Sequence, residues 1–154
     1  MTIPDGVLSR FAYQLASVRL QEVHLQPRNL DPDAGAEELP FKIELREKEE
    51  DRGKITETFS ALLVLETSFP VHKWQIMDIY IAIEGHFKAA VSIDDLKLEI
   101  VEQFKGADVM LMLWPYLRQT LQDFSSRLGL KIPPLPIIDA RDLKFTEPAE
   151  LVHE

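Results

Sequence analysis

The sequence predicts an α+β fold: a four-stranded antiparallel sheet with two helices packed on one face. Two observations carry this. Up to Ala90, apolar residues alternate with polar ones through long segments separated by charged or proline-containing breaks. Beyond Ala90 the apolar period lengthens to about 3.6, which places the helices after the strands.

The elements follow in order. Met1–Arg10 reads as a loose leader. Phe11–Gln26 is the first strand, with Phe11, Tyr13 and Leu15 on one face, Val23 and Leu25 continuing an alternation, and Pro27 stopping it. Arg28–Leu39 is a loop by its Asn29, Pro32 and Gly35. Phe41–Arg46 sends Phe41, Ile43 and Leu45 one way and Lys42, Glu44 and Arg46 the other, as a half-buried strand does. Glu47–Lys54, almost wholly charged and containing Gly53, is a water-exposed hairpin turn. Ile55–Thr67 is the third strand, broken by Ser68–Pro70. Lys73–Ala90 is the fourth, with Ile79, Ile81 and Ile83 on one face and Asp78, Tyr80, Ala82, Glu84 and His86 on the other. Gly85 inside it marks a bulge or a close backbone approach. Short, charged connections suggest an antiparallel meander.

The first helix carries Ile93, Leu96, Ile100, Val101 and Phe104 on one face, opens at Ser92 with Asp95 as a variant capping box, and ends at Gly106. The second covers Leu113–Leu128, starting nearer Asp108 at the earliest, with Leu117, Leu121, Phe124 and Leu128 as its stripe and Gly129 closing it. Pro115 belongs in its first turn or at a kink. A proline-rich apolar segment follows, with Pro133, Pro134 and Pro136 among Ile132, Leu135, Ile137 and Ile138. The charged stretch after it, 140–154, is expected to be flexible, and the 154 residues form a single domain.

Composition narrows the function. The 26 acidic residues exceed the 17 Lys and Arg, giving a net charge of −9 with no basic stripe. Nucleic acid and anionic lipid are therefore disfavoured as partners, and a basic or apolar partner is electrostatically easier. No apolar run approaches the roughly 18–20 residues of a membrane helix, so no direct membrane insertion is expected. The N-terminus lacks the basic start and apolar block of a secretory signal, and there are no cysteines. A cytoplasmic location, no disulfides and no thiolate metal site are the expectations. His24, His72, His86 and His153 match no zinc spacing, and Glu84 with His86 reads as a solvated sheet face rather than a metal site. No phosphate-binding glycine loop or nucleophile motif occurs, so neither a cofactor nor an enzyme is expected.

Leu113-Trp114-Pro115-Tyr116-Leu117-Arg118 resembles the Leu-Phe-Pro-Tyr-Ala-Arg motif of the SecB protein-export chaperones. Ser126-Arg127, Gly129 and the proline-rich run look like the segment that follows in that family, and Glu84-Gly85-His86-Phe87 is similar to its Gly-Gly-Ile-Phe. The layout agrees from Phe11 to Asp139, with specific similarity over Asp78–Ile138. Ile138-Asp139 departs from the family's Asn-Phe.

The resemblance implies an ATP-independent holdase that binds unfolded preproteins, delivers them to the SecA motor, and assembles as a homotetramer made from a dimer of dimers. It implies a client groove of Phe41, Ile43, Leu45, Trp74 and Met77, edged by Leu135 and Ile137. Met and aromatic residues suit such a groove because they pack against many shapes. Of the acidic positions that recruit SecA, Glu22 is retained, Gln26 replaces a second acid, and Asp78 and Tyr80 stand where the family has Leu and Glu. Ile79, Ile81 and Ile83 read as core or subunit interface rather than client site, and the helix residues Gln119 and Gln122 as facing a neighbouring subunit. Divergent relatives guard toxin–antitoxin pairs, so an antitoxin is the alternative client. Phe41, Ile43 and Leu45 serve equally as the core face of a two-layer fold. A small apolar-ligand module is the alternative from a different class.

Overall fold

The computed structural model describes residues 9–33, 41–132 and 135. The expectations for Met1–Leu8 and for 140–154 lie outside these residues. Ser9 is buried and its hydroxyl donates to Asp108 Oδ2 at 3.4 Å, so the leader expected through Arg10 is already anchored at Ser9.

The four strands are β1 (Tyr13–Asn29), β2 (Phe41–Glu47), β3 (Thr58–His72) and β4 (Gln75–Ala89). All pairings are antiparallel, in the order β1-β4-β3-β2. This corrects the expected meander. β2, β3 and β4 are neighbours in sequence, but β1 pairs with β4 at the far edge, which is a Greek-key arrangement.

The two expected proline stops do not stop their strands. Pro27 lies within β1, an edge strand, where a missing N–H is tolerated. β3 runs through Pro70 to His72. Its described pairing with β2 ends at Thr67, and its ladder with β4 becomes irregular between Pro70 and His72. β1 also bulges between Leu15 and Ser17 and again between Leu20 and Glu22. Each bulge shifts the alternation by one residue. Tyr13 and Leu15, then Val18 and Leu20, then Val23 and Leu25 thereby share one face.

That face is a set of rows across the sheet. Leu15–Phe87–Phe59 begins it, followed by Val18–Gly85–Ala61–Glu47 and Leu20–Ile83–Leu63–Leu45. Val23–Ile81–Leu65–Ile43, Leu25–Ile79–Thr67–Phe41 and Pro27–Met77–Phe69 complete it. The helical layer covers it, packing on β4, β3 and β1.

That layer is one continuous helix, α1, where two were expected. Leu98–Gln103 leads without a break into a π-helical turn, Phe104–Asp108, and then into Val109–Arg127. Gly106 lies in the π turn and ends nothing; the described glycines with positive φ are Gly53 and Gly129. Ser92 and Asp95 frame only a single 3-10 turn, Ile93–Asp95, with no side-chain cap bond. Pro115 lies inside α1 rather than in its first turn. Gly129, at φ +67°, closes the helix as expected. Leu130 N–H donates to Ser125 O at 2.8 Å and Gly129 N–H to Ser126 O at 3.2 Å, the paired bonds of a Schellman cap.

Gly85 is the close approach its position in β4 suggested. A Cβ there would stand 2.7 Å from Leu113 Cδ2, so the absent side chain lets α1 lie directly on the sheet. At one end the packing is aromatic. Phe59 stacks on Phe87 with centroids 5.0 Å apart, and Phe104 and Tyr13 close around them. Each fully buried ring of this kind contributes about 1.5–3 kcal/mol. Tyr13 OH donates to Thr56 O at 2.6 Å, and burial raises its pKa above the ordinary 10.0. Lys105, in the π turn, ties α1 to the β2–β3 connection: its Nζ donates to Asp51 O at 2.8 Å and lies 3.3 Å from Glu47 Oε2.

Candidate functional site

The apolar face is not covered evenly. Phe41, at the start of β2, is 55% exposed, and Trp74, in the β3–β4 turn, is 45% exposed. Ile43 and Met77 are half-buried and pack against the core, as do Phe69 and Leu25. Four of the expected groove residues, Phe41, Ile43, Trp74 and Met77, thus lie toward one end of the sheet with apolar surface open to water. Exposed apolar surface of this kind marks interaction sites.

Two other expected groove residues are enclosed. Leu45 is 5% and Leu135 3% exposed, and both belong to the main core cluster. Neither offers a surface in this conformation, which corrects the expectation of an open groove along the whole of β2. Ile137 lies outside the described residues.

Leu135 is held by a contact that sequence reading did not single out. Arg118, the last residue of the Leu113–Arg118 motif, donates from Nε to the Leu135 carbonyl at 2.6 Å. Closer to the helix end, Ser125 Oγ donates to Leu130 O at 2.7 Å and accepts from Ile132 N–H at 3.4 Å. Ser125 and Arg118 are seven residues apart on α1. At 1.5 Å per residue, the chain has doubled back about 10 Å along the helix by Leu135. The motif was the available signal for Arg118; its role needed the position of Leu135.

The opposite face of the sheet is polar at its margins. Val64 and Ala82 are buried at its centre. The acids proposed for SecA, Glu22 and Asp78, both lie on this face. Glu22 Oε1 is 2.8 Å from His24 Nε2. Asp78 accepts from Arg28 Nε at 3.0 Å and from Ser68 Oγ at 2.6 Å, and these bonds, Arg28 first, lower its pKa from the ordinary 3.8. Glu44 sits between Lys42 and Arg46, and the bond from Lys42 is the main cause of its lowered pKa. Glu84 lies 3.1 Å from Arg19 Nε and 2.7 Å from His86 Nε2. Glu22, Glu44, Glu66, Asp78 and Glu84 share this face with Arg19, Arg28, Lys42, Arg46 and Lys88, so it is balanced in charge rather than acidic.

The expected subunit contacts divide sharply. Ile79, Ile81 and Ile83 are at most 3% exposed, inside the chain's own core. They have no surface to give a second copy and follow the core reading of their face, the alternation marking the side that meets α1. Gln119 and Gln122 are exposed on α1, Gln119 bonding Asp123 Oδ1 at 2.8 Å. Tyr116 beside them is 47% exposed.

Among the described residues, no group of three or more His, Asp or Glu is placed to hold a metal ion. Nor, among them, is any helix long and apolar enough to cross a membrane.

No family model and no curated protein sequence matches the chain. Several solved structures resemble it, among them the following two. A SecB-like chaperone of Mycobacterium tuberculosis, in complex with a ChAD peptide from the HigA1 antitoxin, superposes with a TM-score of 0.59 at 18% identity, covering 87% of this chain and 96% of that one. A protein of unknown function from Streptococcus agalactiae gives a TM-score of 0.38 at 13% identity, covering 82% of this chain and 96% of the other. With its four-stranded antiparallel sheet and single long helix, the chain has the SecB-like chaperone fold.

Proposed function

We propose that this protein is an ATP-independent holdase that captures unfolded polypeptides and keeps them from aggregating. The observation that carries the reading is the open end of the apolar face, where Phe41 and Trp74 are exposed beside half-buried Ile43 and Met77. Apolar and aromatic surface without a closed pocket suits extended chains of varied sequence. An acidic molecule, at net charge −9, resists non-specific aggregation while presenting that surface. Assembly as a homotetramer, a dimer of dimers, belongs to this proposal, with the exposed α1 face of Tyr116, Gln119 and Gln122 as one contact.

Two destinations for the client are proposed, delivery to SecA and protection of an antitoxin. The compensated acids favour the second. Asp78 is already held by Arg28 and Ser68, and Glu22 lies beside His24, which leaves less free negative charge to recruit a motor. The solved chaperone of like fold was captured with an antitoxin peptide, which supports the same choice.

The test is titration calorimetry without nucleotide against a denatured precursor protein, its folded form, an antitoxin segment and SecA. Binding to the unfolded precursor alone is expected among the first two. No heat with either unfolded chain would sink the holdase reading, leaving a small-ligand module to be sought. Binding of SecA would restore the export version.

A further inference from the structure

We propose that Leu135 is a resident stand-in for a client residue, and that Arg118 is the main-chain grip which clients take over from it. The inference rests on the holdase reading and deepens it by naming the recognised chemistry: an extended polypeptide carrying a leucine-sized side chain, its own carbonyl accepting from Arg118.

Three observations support it. Leu135 is 3% exposed within the main core cluster, yet it belongs to none of the strands or helices of the fold. Its carbonyl is held by a side chain, Arg118 Nε at 2.6 Å, rather than by a backbone ladder. A guanidinium that grips a peptide carbonyl reads no side chain and accepts the same group from any extended chain. Finally, Leu135 is flanked in sequence by Pro133, Pro134 and Pro136. Prolines supply no backbone N–H. Leu135 offers the socket an apolar side chain and offers Arg118 a carbonyl, both of which an unfolded chain also carries.

Self-occupancy lowers apparent client affinity by the fraction of time the socket is filled. It also shields apolar surface while no client is present. Phe41 and Trp74, already open, make first contact, and displacement of Leu135 completes capture.

The experiment measures binding of fluorescently labelled, reduced and carboxymethylated α-lactalbumin, a permanently unfolded chain, by anisotropy. The full chain is compared with Leu135→Ala, Arg118→Gln and the double variant, each checked by calorimetry. A nonapeptide of residues 130–138 is added in trans, with a version carrying Ala at the Leu135 position as control. Leu135→Ala should keep its cooperative unfolding transition and bind several-fold tighter. The nonapeptide should compete for it and the control should not, and adding Arg118→Gln should abolish the gain. Unchanged or weaker binding by Leu135→Ala, failure of the nonapeptide to compete, or loss of the unfolding transition overturns the proposal; the last would make Leu135 ordinary core. The holdase reading fails separately, if the wild-type chain and every variant ignore the unfolded protein.

Discussion

The two ends of one sheet face share the same alternation, yet they are covered differently. At one end Tyr13, Phe59 and Phe87 lie under Phe104 of α1, with ring centroids between 4.8 and 6.2 Å apart and every ring buried. At the other end Phe41 and Trp74 are exposed, and Met77 is only half-covered. Apolar content does not separate the two ends. What separates them is the path of α1, set by its close approach at Gly85 and by where Gly129 ends it. Burial concentrates where the helix lies; apolar surface remains open where it does not.

The comparison breaks first at the sealed end. Phe87→Ala should cost about 3–5 kcal/mol in denaturant unfolding, because the cavity it leaves is walled by rigid rings. Gly85→Val should cost about 1–3 kcal/mol by pushing Leu113 and lifting α1 from the sheet. At the open end the signs of importance reverse. Phe41→Ala should leave unfolding within about 0.5 kcal/mol of wild type, as exposed positions do, while weakening binding of an unfolded client about fivefold or more.

The smallest effects come from two carboxylates of opposite character. Asp78 has a lowered pKa in the folded chain, so its ionised form adds stability above 3.8 that is lost as pH falls through the folded value. Its side chain is 39% exposed, and solvent screening keeps the contribution below about 1 kcal/mol. Asp78→Asn should therefore unfold slightly more easily at neutral pH, and the difference should shrink in acid. Asp108 is raised above 3.8 by burial, against the opposing effects of Arg10 and Ser9. Its ionisation costs stability, a cost absent below 3.8 and complete once pH exceeds the folded pKa. Asp108→Asn should accordingly raise the neutral-pH Tm slightly, with wild type catching up as the pH is lowered.

The existence and direction of most elements could be read from local pattern, because a half-buried strand must alternate and a Schellman cap requires Gly129. Three features escaped for separable reasons. The phase of β1 changes twice, and a bulge is recognisable only when the partner strand is known. Proline was read as a stop at Pro27 and Pro70, although its effect depends on whether a neighbour needs the missing N–H. Gly106 suggests a helix end, but the helix runs through it: its buried positions step by four through Val109, Leu113, Leu117 and Leu121, and by five from Phe104 to Val109. Five is the stride of the π turn, and it keeps both halves of the helix against one sheet. Of the candidate site, Phe41 and Trp74 are pointed to by the family resemblance, not by local pattern, which puts Phe41 in a half-buried strand and Trp74 inside the fourth strand. Burial of Leu45 and Leu135 was not legible, since it depends on a chain that returns along the helix to Arg118.

The pairing of β1 with β4 has a consequence during synthesis. Tyr13 must find Ala89, and Asn29 must find Gln75, so no part of β1 can be paired until β4 has been made. At about 5–20 residues per second, the start of β1 waits some 4–15 s on the ribosome for its partner. Through that interval Tyr13, Leu15, Val18 and Leu20 travel as an unsatisfied strand.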